Sequence, residues 1–235
     1  MDAYNFPAQK TFTNLIGTEL PIQNQLVQLV NILAETPQVH LPKRWVVFEA
    51  TAPRYESPVI VKLRFKLDPS GISPRDLDAM RSINLRRWTD ECKALRECQG
   101  SGATPEFIAS AELTQEDRHP WPGGYMRVII MSKVPGKDVV ELGNELTDDE
   151  RRIIGAQLLE TLEYVGILFH VALHVYMRLR NWNFAFPQTQ SIFYDRQTKK
   201  MSLVGLSQTG PDDPPEDGPP LTRDSIDVRA FCFRF

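Results

Sequence analysis

The sequence predicts an α+β chain with a β-rich first half and an α-rich second half. Three observations carry that expectation. "RWVVFEATA" and "SPVIVKLRFKL" are neighbouring runs of β-branched and aromatic residues, the pattern of a strand pair. "SPRDLDAMRSINLRRWTDECKALRECQG" is a long helical stretch between strand-like segments. "PGKD" then interrupts the strands, and a helix-start signal follows it. At 235 residues the chain makes one large domain or two small lobes with a real apolar core.

Taken in order, residues 22–35 ("IQNQLVQLVNILAE") space Leu26, Val30 and Leu33 at a helical interval, so a helix is expected there. The next two runs, parted by "PRYE", form a hairpin. In the second run Ile60, Lys62, Arg64 and Lys66 alternate with Val59, Val61, Leu63, Phe65 and Leu67 on the opposite face. The following helix has Ser73 as N-cap, Pro74 at its first position and Gly100 as a stop, with Trp88, Cys92 and Leu95 on one stripe. "EFIASAEL" and "GGYMRVIIMSKV" are two further strands joined by the turn-rich "TQEDRHPWPGG". After the break, Thr147 and Glu150 make a capping-box pattern ahead of a stripe of Ile154, Leu158, Leu162, Val165 and Phe169. "SIFYD" and "MSLVGL" turn through "RQTKK" as a last strand pair, and that stripe is expected to pack under it. "GPDDPPEDGPP" is too rich in Pro, Gly and Asp to fold alone, and "LTRDSIDVRAFCFRF" is expected to close the chain as a short helix.

Net charge is −3, which leaves no electrostatic footprint for nucleic acid. Three cysteines, Cys92, Cys98 and Cys232, are odd in number and lack metal-ligand spacing, which fits a reducing compartment. The first residues carry no apolar signal-peptide core, and no apolar run approaches the ~18–20 residues of a membrane span. The expectation is a cytoplasmic chain that is not secreted, with the nucleus left open as a location and no membrane as a partner.

The order of elements is strands, helix, strands, break, helix, hairpin. With four stretches of local wording it points to a family. "VVFEATA…VIVKLRF", "WTDECKAL", "PGGYMRVIIMSKVPGKDV" and "SIFYDRQTKKMSLVGLSQ" resemble, in this order, the divergent protein kinase-like proteins of filamentous fungi, over residues 45–208. The resemblance implies a two-lobed kinase-like fold with a reduced, truncated C-lobe. It implies a single domain over 1–235: a β-rich N-lobe over 1–131, a hinge over 132–137 and an α-rich C-lobe over 138–235. It also implies that Lys62 is the strand lysine that neutralises phosphate oxygens and that Glu91 is its helix partner. Met131 would then end the strand leading to the hinge, and the backbone of 132–136 would meet an adenine. Without the resemblance, Lys62 is an ordinary solvated strand lysine and Glu91 an ordinary helix-surface glutamate.

The chemistry of phosphoryl transfer needs a carboxylate to orient the acceptor hydroxyl, oxygen ligands to hold magnesium, and backbone amides over the phosphates. Laid on "HVYMRLRN", the catalytic-loop pattern puts Tyr176 at the aspartate and Asn181 at the asparagine. Counted back from the last strand pair, it puts Phe186 and Ser191 there instead. Both registers stay open, and neither supplies a base, since a phenol of pKa ~10 is a poor one at neutral pH. Gly205 stands where the metal-holding aspartate belongs. Asn181 or Ser191 is a metal ligand only if the chain is active. Asp195 is the one acid nearby, at a hairpin start where Asp favours turns. No glycine lies between Gly17 and Gly71, so no Gly-rich turn precedes Lys62.

His170 and His174, four apart on a helical stretch, lack a carboxylate or cysteine to complete a metal site and are read as ordinary histidines. Trp182 and Phe184 are read as packing residues, and Cys92 as a buried apolar residue. The leading expectation is a catalytically inactive, pseudokinase-type module that binds an unidentified protein and uses no cofactor. The alternative is a divergent phosphotransferase acting on a protein or small molecule with ATP and magnesium. A glycoside hydrolase ranks last, because the strand-helix alternation of a barrel is missing.

Overall fold

Alternating apolar and polar residues pair six strands into one antiparallel sheet in the computed structural model, which describes residues 12–37, 43–68, 73–168, 192–204 and 206. A 3-10 turn, Phe12–Leu15, leads into β1 (Glu19–Ile22), β2 (Gln25–Pro37), β3 (Lys43–Thr51) and β4 (Val59–Lys66). Helix α1 (Pro74–Glu97) follows, then β5 (Phe107–Thr114) and β6 (Tyr125–Ser132). The strand order is β1-β2-β3-β4-β6-β5. The chain is thus mixed α/β with a strand-rich N-terminal sheet. By compactness it divides into two units. The first takes the described residues up to Asn84 together with Phe107–Lys133; the second takes Leu85–Glu106 and the described residues from Val134 onward.

In the first unit one sheet face is the core. Phe48 of β3, Leu63 and Phe65 of β4, and Val128 and Ile130 of β6 are fully buried, as period-two alternation demands. Each such side chain adds ~1.5–3 kcal/mol of burial energy. The 3-10 turn caps this face, with the Phe12 ring stacked on Phe65 at 4.6 Å.

The helix expected over residues 22–35 is not formed; Gln25–Pro37 is a strand. Gln23 and Asn24 have φ of 47° and 64°, the two left-handed residues of a tight hairpin, with Ile22 paired to Gln25. Val27 and Leu29 are the buried residues, whereas Leu26 and Leu33 are each 50% exposed. Two register shifts, between Leu29 and Asn31 and between Ile32 and Ala34, break the alternation and leave an apparent helical spacing.

The expected helix after β4 forms. Ser73 Oγ accepts the Asp76 amide at 3.2 Å and starts α1, and Gly100 adopts φ 87° just beyond its end. Cys92 and Leu95 are buried, and Trp88 is half-buried.

The second unit continues through β7 (Lys137–Asp138), α2 (Val139–Leu142), α3 (Asp148–Leu168), β8 (Ile192–Asp195) and β9 (Lys200–Leu203), with strand order β7-β8-β9. The Asp138 carboxylate caps α2 by accepting the Val140 amide at 2.8 Å. Thr147 and Glu150 close the expected capping box reciprocally, at 3.2 and 2.8 Å. Ile154 and Leu158 of the stripe are fully buried. The helix packs under the hairpin as expected. The Gln157 side chain donates to the Lys199 carbonyl at 2.9 Å and accepts the Met201 amide at 2.7 Å. Two turns earlier on the same face, Glu150 accepts from Arg196 at 2.9 Å. Phe169, the Pro- and Asp-rich segment and the expected last helix lie outside the described residues. Among the described residues no helix is long and apolar enough to cross a membrane.

Candidate functional site

The second face of the six-stranded sheet carries Lys62. Antiparallel register sets it opposite Val47 on β3 and Ile129 on β6. A strand lysine ordinarily runs its head out to water, yet Lys62 is only 9% exposed. Its ammonium lies 5.4 Å from the centroid of the Trp45 ring, a cation–π contact that strengthens with desolvation. Met131 shares the face. It pairs with Ile60 and so stands diagonal to Lys62, and it is buried like Ile129 beside it.

A second row crosses the same face. Register aligns Trp45, Arg64, Arg127 and Glu112 across β3, β4, β6 and β5. Arg127 is buried, donates from Nε to Glu112 at 2.7 Å and lies 4.2 Å over the Tyr125 ring. Burial pushes the Tyr125 phenol up, while Arg127 and a hydrogen bond from Asn84 pull it back. At the rim Lys133 bonds Glu49 at 2.9 Å. A buried ammonium beside an indole ring and apolar side chains can neutralise an anionic group and pack a flat one.

Glu91 lies in the part of α1 that belongs to the second unit and is 1% exposed, so the reading of it as a water-facing glutamate does not hold. On the same helix burial raises the Asp90 carboxyl against the opposing pull of Arg86 and Lys93. Burial, with Glu97 adding, pushes the Cys98 thiol up to about 11. It therefore stays protonated at neutral pH and is no nucleophile. Beyond β6, Gly136 adopts φ 91°, and the backbone of Tyr194 leaves no room there for a Cβ.

Asp195 is the only acidic residue between Tyr164 and Pro211. Its Oδ2 accepts the Thr198 hydroxyl at 2.6 Å and its Oδ1 the Gln197 amide at 3.0 Å. These bonds, the Thr198 bond foremost, hold its carboxyl below the ordinary range and commit it to the hairpin turn. Among the described residues no group of three or more His, Cys, Asp or Glu could hold a metal ion.

No protein-family model matches this sequence, and no curated protein matches it. One solved structure that does match is the kinase PK-1 of Cydia pomonella granulovirus. It has a TM-score of 0.48 and 11% identity, covering 79% of this chain and 52% of that one. The chain therefore spans about half the length of that viral kinase. A likeness at this level leaves any kinase assignment to the chain's own residues.

Of the residues singled out from the sequence, Lys62 and Met131 share one sheet face, and Glu91 is placed on α1. Tyr176, Asn181, Phe186, Ser191 and Gly205 lie outside the described residues, as do His170, His174, Trp182 and Phe184. Trp45 and Arg127 were not legible as members of the Lys62 face. The register of the β3–β4 hairpin, counted from its turn, is the signal that would have placed Trp45.

Proposed function

We propose that this chain is a kinase-like module of the fungal, pseudokinase type, two-lobed with a reduced C-lobe, that binds another protein and transfers no phosphate. The observation that carries this reading is Asp195. Phosphoryl transfer needs carboxylate oxygens on magnesium. The stretch that would supply them holds a single carboxylate, and that one closes a turn. The absence of a glycine between Gly17 and Gly71 supports it, since no Gly-rich turn precedes Lys62. On this reading the partner is a protein rather than nucleic acid or membrane, the compartment is the cytoplasm, and no cofactor is used.

A second reading is favoured by one observation, the burial of Lys62. An ammonium held out of water beside an aromatic ring suits a divergent ATP-dependent phosphotransferase. On either reading the resemblance pairs Lys62 with Glu91, which a double-mutant cycle on stability measures. Thermal unfolding with ATP, with and without magnesium, separates the two readings. A ligand at a hundred times its Kd stabilises by ~2.7 kcal/mol. The binding-module reading expects no magnesium-dependent shift. A shift that requires magnesium and disappears in Lys62→Ala supports the enzyme.

A further inference from the structure

The 115–124 loop is built around two buried side chains that phosphate chemistry does not use. Gln115 donates to the Lys66 carbonyl at 2.8 Å and the Tyr125 carbonyl at 2.9 Å, and accepts the Trp121 amide at 3.0 Å. His119 is 6% exposed, and its Nδ1 accepts the Glu116 amide at 2.8 Å. That bond makes Nδ1 the lone-pair nitrogen and puts the ring proton on Nε2, which is buried without a hydrogen-bond partner among the described residues. The imidazole lies 5.6 Å from the Phe65 ring, the ring on which Phe12 stacks. The next residue, Arg118, gives its carbonyl to the Asn14 side chain at 3.2 Å. The loop and the Phe12–Leu15 turn are thus tied together over the apolar face of the sheet.

We propose that His119 is an acid-sensitive latch, whose neutral imidazole holds the 115–124 loop and the Phe12–Leu15 turn on the sheet and whose protonation releases both. A second ring proton would sit on Nδ1, where the Glu116 N–H already points, so two donors would meet head to head. The new charge would face the apolar ring of Phe65, on which Phe12 stacks. The charges around it offer little relief. In its own loop Glu116 favours the cation, but Arg118 opposes it, and the two are paired with each other at 3.0 Å. From β4 the contact is the Phe65 ring, and Lys66 next to it is a cation. On the side of the 3-10 turn Arg44 lies over the Phe12 ring and is paired with Glu35, whose carboxylate accepts the Phe12 amide at 3.3 Å, so the two charges offset each other.

Burial lowers the folded-state pKa below the ordinary value of 6.5. The closed form therefore keeps its full advantage above pH 6.5 and loses it as pH falls from there toward the folded value, because the open form binds the proton first. The test is amide hydrogen exchange of residues 116–124 and 12–18 in the full chain at pH 7.5 and 5.5, corrected for intrinsic rates. In the natural chain protection should fall at the lower pH, by up to about ten-fold at one unit below the open-state value. In His119→Asn, which keeps an acceptor near Nδ1 and takes no proton, it should not change between the two pH values. An equal fall in both proteins, or none in the natural chain, overturns the latch. If the variant does not fold, the ring resonances of His119 decide in the natural chain. They must titrate below 6.5 together with loss of protection at the Glu116 amide. Titration with that amide still protected overturns the proposal.

Discussion

Gly136→Ala should destabilise the chain by roughly 2–5 kcal/mol. Two costs add. An L-residue at φ 91° pays ~1–2 kcal/mol for a left-handed backbone. The new Cβ would also stand 2.4 Å from the carbonyl carbon and oxygen of Tyr194 and 2.6 Å from the Asp195 amide nitrogen. Those are backbone atoms of β8, so the strand itself must move, and overpacking of that kind costs ~1–3 kcal/mol. Gly100→Ala is the internal control. Gly100 has φ 87°, but its Cβ would meet nothing within 4 Å, so only the backbone cost applies. Urea unfolding of both variants separates the terms. Equal losses would show that Gly136 is not pressed on Tyr194.

Leu158→Ala should cost roughly 2–5 kcal/mol, the range for a buried leucine that leaves a cavity. Leu158 is fully buried, one turn on from Ile154. Its helix is fastened to the hairpin by Glu150 on Arg196 and by Gln157 on the Lys199 and Met201 backbone. These anchors keep helix and hairpin from collapsing into the space vacated. Against a typical total stability of ~5–15 kcal/mol, the loss is a large fraction. A change below about half a kcal/mol in the unfolding free energy would mean that the face is solvent-exposed.

The parts of the fold that were legible from the sequence are those where local chemistry and burial agree. The alternation of β4, the Ser73 cap and the Thr147–Glu150 box each need only neighbouring residues, and each forms. β2 was not legible, because its outward residues Leu26 and Leu33 are as apolar as its inward Val27 and Leu29. Burial there is decided by β1 and β3, and two bulges disguise the period. The 115–124 loop was legible only as a turn. The roles of Gln115 and His119 depend on the Lys66 carbonyl and the Phe65 ring, both supplied by β4. The Lys62 face shows the same limit. The lysine stands out in the sequence, whereas Trp45 and Arg127 join it only through strand register. Asp195, by contrast, keeps the turn role that its position predicts.

Phosphate transfer from radiolabelled ATP with magnesium, on the purified chain and on Gly205→Asp, tests the central claim most directly. The account predicts no turnover in either protein. On the proposed reading a carboxylate at residue 205 would still leave the base position, Tyr176 or Phe186, unfilled and the phosphates without a Gly-rich loop. Turnover in the natural chain that is abolished by Lys62→Ala would contradict the account and establish the chain as an enzyme.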